Sequence, residues 1–378
     1  MFEALLLVGL AVAVFVGFNI GGSSTGVAFG PAVGSGTISK LTAAALMTGF
    51  ALLGGWTVGR NVVATMGGEI VPSSQFTLAA SVAVLFFVGV ALLVSNLFGV
   101  PASTSMTAVG AIAGLGVATG TLDWAKMGQI VSWWLVSPIL AFWICAVIGR
   151  YLYPYLDAIL QLDSPGDEVT LRERVGTVLV VAIGCYMAFS AGASNVANAV
   201  APLVGSGAIS IEFGVLLAGL AIGLGAFTIA RRTLDTVGND LTDLPLTAAL
   251  VVEVISASII TFLSALGIPA SLAVSATMCI VGLGWGRASR TMTPSQVASA
   301  AMRGDGPGLS VDALATDGRG TTPRVRDVPR IGEEDPDALT AGDLFDSRAT
   351  ARVVVLWVLT PTISAVAAFL VFEFLPLF

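Results

Sequence analysis

Glycine, hydroxyl and amide residues gather twice in this chain at matched spacing. The first set opens with Gly21-Gly22-Ser23-Ser24 and runs to Ser39; the second opens with Gly192-Ala193-Ser194-Asn195-Val196-Ala197-Asn198 and runs to Ser210. Each glycine in a helix interior costs roughly 1 kcal/mol relative to alanine, and irregular backbone at membrane depth survives only beside protein or a watery cavity. These stretches therefore predict broken or re-entrant helices. Their short N-termini would aim backbone N–H groups and a partial positive charge into the cavity, which suits an anion. Ser23, Ser24, Ser194, Asn195 and Asn198 would add side-chain donors. The competing reading is close helix packing through small residues; recurrence at matched positions favours a site.

Pro101-Ala102-Ser103-Thr104-Ser105 is a second candidate, with Pro269-Ala270-Ser271-Leu272-Ala273 as its partner. Proline followed by hydroxyl residues before an apolar run predicts a helix start capped by serine. Hydroxyls beside unpaired N–H groups fit a tetrahedral oxyanion, although such caps also occur on helices that bind nothing. Ser103, Thr104, Ser105 and Ser271 are the candidate contacts. Glu253 is the one carboxylate well inside an apolar run. Ionisable groups at that depth mark ion paths, so Glu253 is a candidate for the coupling ion or for gating, against a structural carboxyl. Arg60 and Arg231 lie near span ends, where such side chains snorkel.

The elements that must position these groups are membrane spans. The chain has 378 residues, 56% hydrophobic and 11% charged, with mean hydropathy +0.92. Soluble domains carry about 25% charged residues, so a water-soluble fold is excluded. Apolar runs over 2–20, 41–59, 76–98, 103–120, 129–153, 175–191, 211–230, 246–266, 271–286 and 352–376 predict ten crossings, each near the ~20 residues a bilayer needs. Counting basic residues in the loops puts 287–351 and the turns after 150 and 230 in the cytoplasm of a plasma-membrane protein, with both termini outside. The opening run has Glu3 where a signal peptide has basic residues, and is read as a retained span.

The chain has no histidine and a net charge of −7, and Cys145, Cys185 and Cys279 lack metal or redox spacing. Imidazole metal sites and nucleic-acid partners are excluded, and no cofactor is expected. No nucleophile with a base is visible, so an enzyme is the weakest reading.

An internal repeat organises the spans. Residues 21–39 lie over 192–210, and 60–70 over 231–241, at an offset of 171; 99–116 fall on 267–284 at 168, and 134–138 on 357–361 at 223. Five crossings per copy, an odd number, force opposite orientations. The expected fold is all-α, with two inverted-topology repeats and broken or re-entrant helices at their interface. This architecture is common among secondary transporters with midplane sites. The first repeat spans 1–153, a cytoplasmic linker 154–174, and the second repeat 175–286. The polar stretch 287–351 is read as a flexible cytoplasmic loop, and 352–378 supplies the last span.

Gly192 to Ala199, followed by Val204-Gly205-Ser206-Gly207, resembles the G-A-N-D-V-A-N-A and V-G-S-G signature of the inorganic phosphate transporter (PiT) family. Gly21 to Gly36 looks like a more altered copy. Pro101 to Met106, and more faintly Pro269 to Val274, are similar to the family's P-V-S-T-T-H motif, and a glutamate occurs at a position like Glu253. The resemblance implies cation-driven phosphate import by alternating access. Ser23, Ser24, Ser194, Asn195 and Asn198 would then take part in phosphate and cation binding, and Ser103, Thr104, Ser105 and Ser271 in phosphate binding. The chain departs from the pattern where Ser24 and Asn195 replace the signature aspartates, Val27 the second asparagine, and Leu272 and Ala273 two hydroxyl residues. That removes two negative charges and leaves Na+ and H+ open as coupling ions. Sulfate, or a non-transporting sensor or subunit, are the alternatives to phosphate transport. The expected partners are the oxyanion, the lipid bilayer and, left open, further copies of the chain.

Overall fold

The computed structural model describes residues 2–97, 103–160, 171–229, 244–291, 328, 331 and 347–374, and their regular structure is helical throughout. Arg231, Pro101 and most of 287–351 lie outside the described residues. Five helical stretches are long and apolar enough to cross a bilayer: Phe2–Gly34, Trp124–Leu160, Arg174–Gly205, Ile211–Thr228 and Leu246–Ala265. Lys40–Thr57 and Gly59–Glu69 form a sixth, bent by 61°. Shorter apolar helical stretches cover Leu78–Leu93, Thr104–Ala118, Leu272–Ala288 and Val358–Phe374. Each of the ten apolar runs thus contains one helical stretch, as a multi-pass membrane protein requires.

We number the helices α1 (Phe2–Gly34), α2 (Lys40–Thr57), α3 (Gly59–Ala64, continued by a π turn Thr65–Glu69), α4 (Leu78–Leu97), α5 (Thr104–Ala118) and α6 (Trp124–Val147). A π turn, Ile148–Leu152, leads into α7 (Tyr153–Leu160); α8 (Leu171–Gly205), α9 (Ile211–Thr228), α10 (Leu246–Ala265), α11 (Leu272–Ala288) and α12 (Ser347–Phe374) follow.

The signature stretches do not break their helices. Residues 21–34 continue α1 and 192–205 continue α8, each with an internal proline, Pro31 and Pro202. The glycines are accommodated by packing: they let neighbouring backbones close in. A Cβ at Gly21 would collide with the Ile222 carbonyl oxygen on α9, and one at Gly192 with the Ala51 carbonyl oxygen on α2. Gly54 meets the Phe189 carbonyl and Gly225 the Phe18 carbonyl in the same way. All four contacts pair off at the offset of 171. Gly114 against the Ala365 carbonyl on α12, and Gly282 against the Phe142 carbonyl on α6, pair off at 168 and 223. The small-residue packing reading thus accounts for these six glycines, whose helix penalty is offset by contact.

Both long helices stop alike. Gly36 and Gly207 each take φ 71°, the left-handed conformation that glycine adopts without penalty at a helix end. Ser39 then caps α2 through Thr42 N–H, and Ser210 caps α9 through Phe213 N–H. α1 packs on α9 as α2 packs on α8, α5 on α12 as α6 on α11, and α1 on α4 as α8 on α10.

Two helices are too short to span. α5 has 15 residues and α11 has 17, against the ~20 needed.

Candidate oxyanion-binding site

The starts of α5 and α11 are capped as their sequences predict. Ser103 Oγ accepts from Met106 N–H at 3.3 Å, and Ser271 Oγ from Val274 N–H at 3.3 Å. Both cap residues are buried. A cap satisfies one N–H of the first turn. The amides of Thr104 and Ser105, and of Leu272 and Ala273, have no acceptor within their own helices.

A chain of hydrogen bonds through α8 joins the two starts. Asn198 Nδ2 donates to Ser105 Oγ at 3.1 Å, Ser105 and Ser194 hydroxyls lie 3.3 Å apart, and Ser194 Oγ donates to the Ala270 carbonyl at 2.7 Å. Asn198 Nδ2 also donates to Asn195 Oδ1 at 3.1 Å. Ser194 spends its only proton on Ala270, so Ser105 is the donor of the middle bond. Ser105, Ser194 and Asn198 are each 1% exposed and Asn195 8%. Asn198 Oδ1 is buried and has no partner among the described residues. Trp134 Nε1 donates to the Pro269 carbonyl at 2.8 Å and holds the approach to α11.

The groups that remain for a ligand are the Asn195 amide N–H pair and the N–H groups of two helix starts. This is a donor-rich, neutral cluster, with positive helix ends and no carboxylate among the residues named. It suits an anion whose oxygens accept hydrogen bonds.

The sequence-predicted residues divide. Ser103, Ser105, Ser194, Asn195, Asn198 and Ser271 are brought together, and Thr104 sits half-buried on the same first turn of α5. Ser23 Oγ instead donates back to Asn19 and Ile20 carbonyls at 3.3 and 3.1 Å. Ser24 is half-buried on α1. Among the described residues, no hydrogen bond joins Ser23 or Ser24 to the cluster. Glu253 is buried on α10, one turn before Ala257, and its Oε1 has no partner among the described residues.

Ser190, Tyr186 and the Ala270 carbonyl were not legible as site groups. Ser190 Oγ donates to the Ala257 carbonyl at 3.0 Å, and Tyr186 Oη to Ser258 Oγ at 3.2 Å. The missed signal is a polar residue every fourth position of α8: Tyr186, Ser190, Ser194 and Asn198 share one face.

Arg60 does not reach the cluster. Its Nη2 pairs with Glu212 Oε1 at 2.6 Å, and its guanidinium lies 5.7 Å from the Trp56 ring centroid. Lys126 pairs with Glu69 at 2.7 Å.

Residues 20–368 match the model of the phosphate transporter family. The chain is 32% identical over 292 residues to the sulfate permease CysP of Bacillus subtilis, covering 77% of this chain and 80% of that protein. A solved structure titled the sodium-dependent phosphate transporter superposes with a TM-score of 0.71 at 19% identity, covering 98% of this chain and 100% of that one. That likeness speaks to the fold. The match over most of the chain speaks to descent, and the chain belongs to the phosphate transporter family.

Proposed function

We propose that this protein is a secondary active transporter that imports inorganic phosphate across the plasma membrane by alternating access. The observation that carries the reading is the hydrogen-bonded junction of two buried helix starts through Ser105, Ser194 and Asn198. Family membership supports phosphate as the substrate. The two copies are read as inverted-topology repeats. The reciprocal glycine contacts support this, because exchanging the copies maps each contact onto another.

In this reading the phosphate oxygens accept from Asn195, from the hydroxyls of Ser103, Thr104, Ser105, Ser194 and Ser271, and from the free amides of α5 and α11. Ser105 and Asn198 now spend donors within the cluster, and Ser194 spends its proton on the Ala270 carbonyl. Substrate replaces those bonds, so binding and rearrangement of the junction are one event. Ser23 and Ser24 join when α1 shifts against α8. The coupling ion is Na+ or H+, with Glu253, Asn195 and Ser24 as its candidate ligands. Both termini face outward and 287–351 faces the cytoplasm.

Purified protein in proteoliposomes is expected to take up labelled phosphate saturably, and Asn195→Leu to abolish uptake. Uptake indifferent to that change would remove the site assignment. Sulfate is a second reading, favoured by the 32% identity to a sulfate permease and by the absence of a carboxylate among the cluster residues named. Sulfate that is itself taken up, and displaces phosphate at equal concentration, would select it.

A further inference from the structure

α3 is joined to its two main neighbours in unequal ways. It leaves the direction of α2 by the 61° bend at Val58 and packs along α8. A Cβ at Gly59 would stand 3.0 Å from the Ala193 carbonyl oxygen, and one at Gly67 3.0 Å from that of Ala201. Val62, Val63, Thr65, Met66 and Gly67 are buried, whereas Asn61, Ala64, Gly68 and Glu69 are exposed. α3 and its π turn thus have an inner face set against backbone and an exposed face that carries Asn61 and Glu69. Backbone contact this close resists sliding, so α3 and α8 form one block.

The second neighbour is the turn from α10 to α11, and that seam is thin. Asn61 Nδ2 donates to the Ala265 carbonyl at 2.9 Å across an exposed contact. Gly267, left-handed at φ 72°, touches α3 beside it: a Cβ there would stand 2.7 Å from Thr65 Oγ1 and 3.2 Å from the Asn61 carbonyl oxygen. Ala265 ends α10, and the last carbonyls of a helix have no acceptor role within it. The Asn61 amide therefore holds a group that water can equally serve, and an exposed hydrogen bond traded for water costs little. The seam borders the anion cluster on both sides. Ala193, beneath Gly59, precedes Ser194; Ala270, whose carbonyl accepts from Ser194, follows Ala265 by five residues and leads to Ser271.

Resting on the transport reading above, we propose that the seam between α3 and the α10–α11 turn is the entrance by which the oxyanion reaches the cluster from outside, and that Asn61 is its latch. Asn61 acts as a positioning residue. Bonded to Ala265, it holds the approach to α11 against the α3–α8 block; released, it lets the turn part from that block while the glycine contacts on α8 persist. Trp134 Nε1, donating to the Pro269 carbonyl, ties the same turn to α6, so the turn moves with α6. The latch shares its end of the bundle with the first turns of α9 and α6, through the pairs Arg60–Glu212 and Glu69–Lys126. That end faces outward in the transport reading. Neither pair crosses the seam, so neither substitutes for Asn61.

The test reads opening and transport separately, on purified full-length protein in proteoliposomes. Thr65→Cys places a thiol at the buried side of the seam and Val84→Cys places one in the buried part of α4. Each is labelled from outside with a membrane-impermeant methanethiosulfonate, against the unaltered protein with Cys145, Cys185 and Cys279 buried. Adding Asn61→Ala should raise the labelling rate of Thr65→Cys about fivefold, the ratio that one exposed hydrogen bond supports, and leave that of Val84→Cys unchanged. Asn61→Gln, which keeps the donor, should recover part of the difference. Asn61→Cys with Ala265→Cys, bridged by a short bis-methanethiosulfonate, should cut uptake of labelled phosphate and, in parallel, labelled sulfate at least tenfold, and dithiothreitol should restore it. A Thr65→Cys rate indifferent to Asn61→Ala overturns the proposal, as does a bridged protein that transports at the unbridged rate. Equal acceleration at Thr65→Cys and Val84→Cys also overturns it, because Asn61 would then support the fold as a whole. Absence of uptake of both anions by the unaltered protein removes the transport reading itself and this proposal with it.

Discussion

The two copies in this chain have kept the same packing and divergent chemistry. Gly21 and Gly192 meet equivalent carbonyls, as do Gly54 and Gly225, and Gly114 and Gly282. At the polar positions the correspondence fails: Asn198 falls opposite Val27, Ser105 opposite Ala273, and Glu253 opposite Leu85. Backbone contact tolerates no added atom, so glycine stays where two helices touch. The hydroxyls and amides of one copy alone line the junction between the starts of α5 and α11.

The largest effect should come from breaking what the copies share. Gly21→Val and Gly192→Val each place side-chain atoms on a facing carbonyl, and overpacking of this kind costs about 1–3 kcal/mol or more. Both variants are expected to lose most of their folded, monodisperse protein, and by similar amounts, as measured by thermal unfolding followed on size-exclusion. Tolerance of one but not the other would show that the two seams are not equivalent.

Next comes what they do not share. Asn198→Ala removes the bonds to Ser105 and Asn195 and strands buried partners, each worth about 1–3 kcal/mol when unsatisfied. Phosphate uptake should fall at least tenfold. Val27→Asn, which restores the amide in the other copy, should leave uptake within about twofold. A gain in uptake from Val27→Asn would mean that α1 contributes to the site as fully as α8.

The smallest effect is expected at Arg60 and Glu212, an ion pair between α3 and α9 with side chains 36% and 48% exposed. Surface pairs of this kind contribute little. Arg60→Gln should leave both the thermal midpoint and uptake unchanged. A clear loss of uptake with normal folding would place the pair in the transport cycle.

Spans and repeat were legible because they depend on long averages, such as runs of about twenty apolar residues and blocks recurring at constant offset. Ser103 and Ser271 as caps were legible because a cap is a local device. The continuity of α1 and α8 was not. A run such as Gly21-Gly22-Ser23-Ser24 carries the same composition whether it unwinds or lies against another backbone, and the facing residue, Ile222, is two hundred positions away. Ser190 escaped for a different reason: it stands before the recognisable motif, and its role shows only when α8 is drawn as one helix. Glu253 was visible as a buried carboxylate, whereas its distance from the cluster depends on the pairing of α8 with α10.

The glycine seams carry one more implication. A contact set in which i touches j while the equivalent of j touches the equivalent of i has the form of an isologous interface, self-complementary about a two-fold axis. A detached half would expose backbone carbonyls and glycine grooves that fit the complementary grooves of a second half. Covalent linkage replaces that encounter with an intramolecular one at high effective concentration. It also fixes the ratio of the two halves at one to one, so that each half can specialise without a competing pair of identical copies.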